Sequence, residues 1–123
     1  MANISSFRGW RYNSDLVDDY SDVIVPPYDV ITAKERDAYY DRSPYNYIRI
    51  NLNRLPGNSR YESASSALRH WKNNGVLVKE DQNAIYIVSQ TFEQADNRVE
   101  RIGCICSVQL TEFGNVVLPH EKT

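Results

Sequence analysis

The stretch Ser21-Asp22-Val23-Ile24-Val25-Pro26-Pro27-Tyr28-Asp29-Val30-Ile31 sets the plan of the chain. A β-branched run meets two consecutive prolines, then an aromatic residue, an acid and a second apolar pair. Each proline fixes φ and removes a backbone donor, so a short strand over 23–25 must stop at Pro26. Each also moves the residue before it out of the α region. Pro27, Tyr28 and Asp29 are therefore expected on a stiff corner between an extended segment and the next element. Such a corner is either an ordinary chain reversal or a holder for polar groups.

Beyond the corner, Thr32-Ala33-Lys34-Glu35 is a capping-box pattern that opens a helix over 33–41, closed before Ser43-Pro44. Residues 47–52 alternate, with Ile48, Ile50 and Leu52 on one side, which predicts a half-buried strand. Leu55-Pro56-Gly57-Asn58 is a turn cluster. Ser59-Arg60-Tyr61-Glu62 offers a second capping box before the strongest helix, over 60–74, with Gly75 as its C-terminal cap. Its apolar stripe is Tyr61, Ala64, Ala67 or Leu68, and Trp71, and reads as core.

Upstream, Phe7-Arg8-Gly9-Trp10-Arg11-Tyr12 alternates as a first strand, with Gly9 marking a bulge or a close backbone approach. Residues 13–20 form a polar connection whose Asp15, Asp18 and Asp19 lack the spacing and glycine of a calcium loop. Downstream, strands over 84–92 and 99–110 flank a polar turn at 93–97 and predict a hairpin. Cys104 and Cys106 fall on one face of the second strand and read as buried thiols, because a disulfide between strand neighbours at i and i+2 would be strained. Val116-Val117-Leu118 starts a last short strand, stopped by Pro119. The class is α+β: a mixed, largely antiparallel sheet with two main helices and a C-terminal β-hairpin.

The 123 residues fit a single α+β domain over 1–123. A hydrophobic share of 41% with 24% charged residues is that of a globular chain, not a disordered one. The net charge of −2 argues against nucleic acid as the default partner. There is no apolar run of membrane-spanning length, and residues 1–6 lack the features of a signal peptide, so a cytoplasmic setting is expected. The ending Leu118-Pro119-His120-Glu121-Lys122-Thr123 groups an imidazole, a carboxylate, an ammonium and a hydroxyl. These are groups suited to acid–base work and phosphate binding, and are equally those of any polar terminus.

Taken together, the segments at 7–12, 21–31, Arg42-Ser43-Pro44-Tyr45-Asn46, Tyr61-Glu62, Trp71 with Gly75-Val76-Leu77, 86–92 and 118–123 resemble, in order, the bacterial and archaeal family catalogued as domain of unknown function 1015. Pro-Pro-Tyr-Asp-Val-Ile and Pro-His-Glu-Lys-Thr are its most specific pieces. Lys122 departs from the arginine expected there, keeping the charge and losing the bidentate fork. The resemblance implies a longer parent protein of which this chain is the N-terminal fragment. It also implies a distant likeness to the superfamily of partition-protein B nucleotidases, sulfiredoxin and free-serine kinases. What that likeness implies is a nucleotide-binding domain, with ATP or another nucleotide and Mg2+, acting as a phosphotransferase on a small hydroxy amino acid such as serine. Asp29, Glu121 and His120 would be its acid–base residues. Lys122, Thr123, Arg8 and Arg11 would bind phosphate, and Tyr28 and Pro27 would shape the substrate pocket. The alternative is a non-catalytic nucleotide-responsive or interaction domain.

Overall fold

Thr32 starts the first helix. Its hydroxyl accepts from the Glu35 amide at 3.3 Å, and the Glu35 carboxylate accepts from the Thr32 amide at 2.8 Å. The box satisfies two orphan donors at once, and α1 (Ala33–Arg42) follows, ending at extended Ser43 ahead of Pro44. The structure, a computed structural model, describes residues 2–114 and 117–118. Its class is α+β, with helices, antiparallel strand pairs and a long hairpin toward the C-terminus. The chain forms two compact units, Trp10–Val78 and Met1–Gly9 with Lys79–Thr123.

The Trp10–Val78 unit holds the buried apolar residues Val17, Val23, Tyr40, Ile48, Trp71 and Val76. Residues 47–52 are not a strand. They carry the short helix α2 (Ile48–Asn51). Asn46 decides this: it is fully buried, its Oδ1 accepts from the Ile48 amide at 2.9 Å, and its Nδ2 donates to the Asp22 carbonyl at 2.7 Å. A side chain that satisfies the first turn's donor offers the backbone a helical start in place of a ladder. Ile48 and Leu52 are also i and i+4, so that pair shares a helix face as readily as a strand face, while Ile50 at i+2 turns away from it.

The run at 23–25 is likewise not a strand. Asp19 caps a 3-10 turn at Tyr20–Asp22 by accepting from the Ser21 amide at 2.8 Å. The Val23 and Ile24 amides both donate to the Tyr20 carbonyl, and the Val23 carbonyl accepts from the Tyr47 amide at 2.8 Å. These backbone groups are thereby engaged away from any ladder. The double-proline corner itself stands, and Tyr28–Val30 forms a second 3-10 turn directly after Pro27.

The long helix is α3 (Ser59–Asn73). Its N-cap is Asn58, in helical conformation and with no side-chain cap, so the second capping box does not form. Gly75 adopts φ +72°, and the Val76 amide closes back on the Trp71 carbonyl at 2.9 Å, as the glycine implied. Trp71 is buried, with the Tyr12 and Tyr45 rings 6.1 and 6.3 Å away. Tyr61 leaves the expected stripe and is 66% exposed. β2 (Trp10–Tyr12) pairs with β3 (Leu77–Lys79).

In the other unit, β4 (Tyr86–Gln94) and β5 (Asn97–Ile105) pair antiparallel from Tyr86↔Ile105 to Gln94↔Asn97. Ala95 and Asp96 turn the hairpin, both with positive φ (49° and 66°), the sign a two-residue turn needs to match strand twist. β1 (Ile4–Ser5) pairs with β6 (Ser107–Val108). The first predicted strand is interrupted at Gly9, where the Tyr86 hydroxyl accepts the glycine amide at 2.7 Å. That is the close approach expected of this glycine. The second hairpin strand is interrupted at Cys106, where pairing passes from β4 to β1. Cys104 is exposed and Cys106 half-buried, so they are not the buried pair the apolar run suggested. Leu118 lies in no strand, and Val116 falls outside the described residues.

Candidate functional site

The corner aims Tyr28 outward. Pro27, at φ −53° and ψ 142°, holds the chain extended until the 3-10 turn begins. Pro27, Tyr28 and Asp29 are all exposed, Tyr28 at 63%. Tyr28 lines a groove of about 350 Å³ with Asn51 and Leu52 at the end of α2 and Arg60, Tyr61 and Ala64 on α3. Every one of these residues belongs to the Trp10–Val78 unit.

The groove wall is braced from behind. Asn53 donates to the Arg49 carbonyl at 2.9 Å and to the Ser63 hydroxyl at 3.0 Å, and accepts from the Leu55 amide at 3.1 Å. It thereby ties the exit of α2 to α3. The guanidinium carbons of Arg49 and Arg54 lie 4.5 and 4.4 Å from the centre of the Tyr40 ring, and Arg49 donates to the Tyr40 carbonyl at 2.9 Å. Cation–π contacts of this kind, made partly out of water, hold the α1–α2 junction.

Arg60 is oriented by its Nε, which donates to the Gly57 carbonyl at 3.1 Å, and by the Tyr61 ring, 5.2 Å from its guanidinium carbon. Its terminal nitrogens have no hydrogen-bond partner among the described residues. The Asn51 amide group has none either, whereas Asn53 is fully engaged. The groove therefore offers two exposed phenol rings, one guanidinium and one amide.

The residues expected at the site divide. Pro27, Tyr28 and Asp29 share the corner, and the Asp29 carboxylate has no hydrogen-bond or ion-pair partner among the described residues. Arg8 belongs to the other unit, where its Nε donates to the Glu80 carbonyl at 2.6 Å. Arg11 donates to the Tyr12 carbonyl at 3.2 Å. His120, Glu121, Lys122 and Thr123 lie outside the described residues. Asn51, Arg60 and Tyr61 went unread because the strand assignment hid Asn51, and the apolar stripe drew Tyr61 into the core. The signal that could have found them is the pair Arg60-Tyr61 directly behind a Pro-Gly turn. Asp19 serves as a cap, and the Ser21 amide and hydroxyl hold its carboxyl below the usual aspartate range. Among the described residues no group of three or more His, Cys, Asp and Glu side chains could hold a metal ion.

The family model described as "Protein of unknown function (DUF1015)" matches residues 4–123. The chain belongs to that family. No curated protein and no solved structure matches it. In this DUF1015 chain no helix among the described residues is long and apolar enough to cross a membrane.

Proposed function

We propose that this DUF1015 chain binds a nucleotide in the groove between Tyr28 and α3. The observation that carries the reading is the exposure of Tyr28 and Tyr61, 63% and 66%, on one groove that also holds Arg60. A phenol ring stacks on any base, and a guanidinium pairs bidentately with phosphate oxygens. The Asn51 amide can both donate to and accept from a base edge. At about 350 Å³ the groove falls at the lower end of the range of about 300–1,000 Å³ common for small-molecule sites.

The fuller form of the proposal is phosphoryl transfer from ATP with Mg2+ to a small hydroxy amino acid such as serine, in a cytoplasmic setting. Asp29, next to Tyr28 on the rigid corner, would then take the hydroxyl proton as the acceptor oxygen bonds to the terminal phosphorus and the bond from that phosphorus to the bridging oxygen breaks, releasing ADP. A corner that only turns the chain would use the Tyr28 hydroxyl and the Asp29 carboxylate in local hydrogen bonds. Neither makes one among the described residues, and both are exposed, so both are open to a ligand. A non-catalytic interaction domain is the second reading, favoured by Ile87 and Ile102, 70% and 69% exposed on the hairpin.

Thermal unfolding with ATP, ADP and CTP, each with Mg2+, tests the proposal. A ligand at one hundred times its dissociation constant adds about 2.7 kcal/mol. We expect a raised Tm that Arg60→Ala and Tyr28→Ala each diminish. No shift with any of the three nucleotides ends the nucleotide reading. A shift without phosphorylated product from serine or related hydroxy amino acids leaves the non-catalytic form.

A further inference from the structure

The strand that begins at Asn97 changes partner once. Through Ile105 it pairs with β4, and from Ser107 it pairs with β1. Cys106 is the one position between the two ladders and belongs to neither. Two residues before it, Cys104 is paired opposite Ile87 and its side chain is exposed. These are the only cysteines in the chain, so each is the other's sole intramolecular thiol.

We infer that Cys104 and Cys106 form a dithiol that hydroperoxides oxidise to a reversible intramolecular disulfide at this strand switch. Cα atoms two residues apart in a strand are separated by about 6.6 Å. A disulfide spans Cα distances up to about 6.8 Å. Closure therefore asks for rotation at Cys106, which has no ladder pairing to lose, and little at Cys104. Burial pushes the Cys106 thiol up from its usual range, and the neighbouring Cys104 thiol adds to that. Exposed Cys104 is then the thiol that meets oxidant, and Cys106 is the one that resolves it. The strain that makes such a bridge a poor structural staple makes it easily reduced, because exposed and strained disulfides are the labile ones.

The step balances with hydrogen peroxide as the oxidant. The Cys104 sulfur, as thiolate, attacks one peroxide oxygen. An S–O bond forms, the O–O bond breaks, and the departing hydroxide takes the thiol proton as water, leaving a sulfenic acid. The Cys106 sulfur then attacks the Cys104 sulfur. The S–S bond forms, the S–O bond breaks, and the second water carries away the Cys106 proton. Two thiols have lost two electrons and two protons, and an external dithiol returns both.

The whole chain treated with hydrogen peroxide and followed by intact mass and free-thiol assay tests this. The expected result is joint loss of both thiols with a mass decrease of about 2 Da, in a monomer, restored by dithiothreitol. Cys106→Ser should stop at a sulfenic acid on Cys104 that dimedone traps. Oxygen addition to the parent chain with one thiol remaining would overturn the inference. So would disulfide-linked dimers as the main product, or a Cys104→Ser chain that loses its thiol as fast as the parent.

Discussion

The Tyr86 phenol is built against the backbone of Gly9. Its oxygen accepts the Gly9 amide at 2.7 Å, and a Cβ at that glycine would lie 2.6 Å from the oxygen and 2.8 Å from Cζ. The ring has little room to retreat, because Phe7 packs on it with centroids 5.2 Å apart. Gly9→Ala is therefore expected to destabilise the chain by about 1–3 kcal/mol, as overpacking does. Tyr86→Phe removes the acceptor at a cost of about 1 kcal/mol and should reduce the further cost of Gly9→Ala. Urea unfolding of the two single variants and the double variant measures this. Strictly additive costs would mean that the clash is not with the Tyr86 oxygen, since phenylalanine keeps the ring carbons.

Asn46 is the polar centre of the Trp10–Val78 unit. Asn46→Ala leaves the buried Ile48 amide and the partly buried Asp22 carbonyl without their side-chain partner. A loss of about 2–4 kcal/mol is expected, since each abandoned buried group costs about 1–3 kcal/mol. The denaturation midpoint reports it, and a change below about 0.5 kcal/mol, the range of ordinary surface substitutions, would refute the role given to this residue.

Tyr12 should show itself at alkaline pH. Burial first, and the Tyr47 phenol second, push its pKa from 10.0 to about 12. Its hydroxyl donates to the Tyr45 carbonyl at 2.9 Å, a bond that needs the neutral phenol. The folded pKa is raised, so this contribution is complete below pH 10.0 and is lost as pH rises toward about 12. Ultraviolet titration should find one tyrosine ionising late, and Tyr12→Phe should abolish that late step.

The start of α1 should respond to acid instead. The Thr32 hydroxyl and backbone amide hold the Glu35 carboxyl below its usual range. A depressed folded pKa means that the contribution is present above the ordinary glutamate range and fades as pH falls through the lowered value. Thr32→Ala removes the cap, at about 1 kcal/mol near neutrality. The variant should also lose less stability than the parent between neutral and acidic pH. Equal losses for both chains would show that the box is not what acid disrupts.

Much of the fold was legible where local chemistry acts alone. Thr32 with Glu35, Gly75 behind the long helix, and the hairpin around Ala95 and Asp96 are all short-range signals that tertiary packing did not overrule. Residues 23–25 and 47–52 were misread for one shared reason. Both segments have strand composition, but the Tyr20 carbonyl and the Asn46 side chain take up their amides, and the two segments also hold each other: Asn46 reaches back to Asp22, and the Tyr47 amide reaches Val23. Periodicity carries no trace of such a pairing. The groove followed the same pattern. The double-proline corner announced Tyr28, while the wall opposite it depended on α2 being a helix.

The two units differ in how they can be assembled in time. Trp10–Val78 is continuous in sequence, whereas its companion unit needs Ile4 to meet Val108. A chain made from its N-terminus can begin ordering Asn46, Trp71 and the two main helices while β1 still waits for a strand not yet synthesised. The same order is expected on refolding, because long loops close late. Pulse-labelled hydrogen exchange should find α3 amides protected before those of the β1–β6 pair, and the opposite order would show that the chain's ends meet first. For that interval Ile4 is an unpaired strand edge, so β1 is where errors of association during synthesis would concentrate.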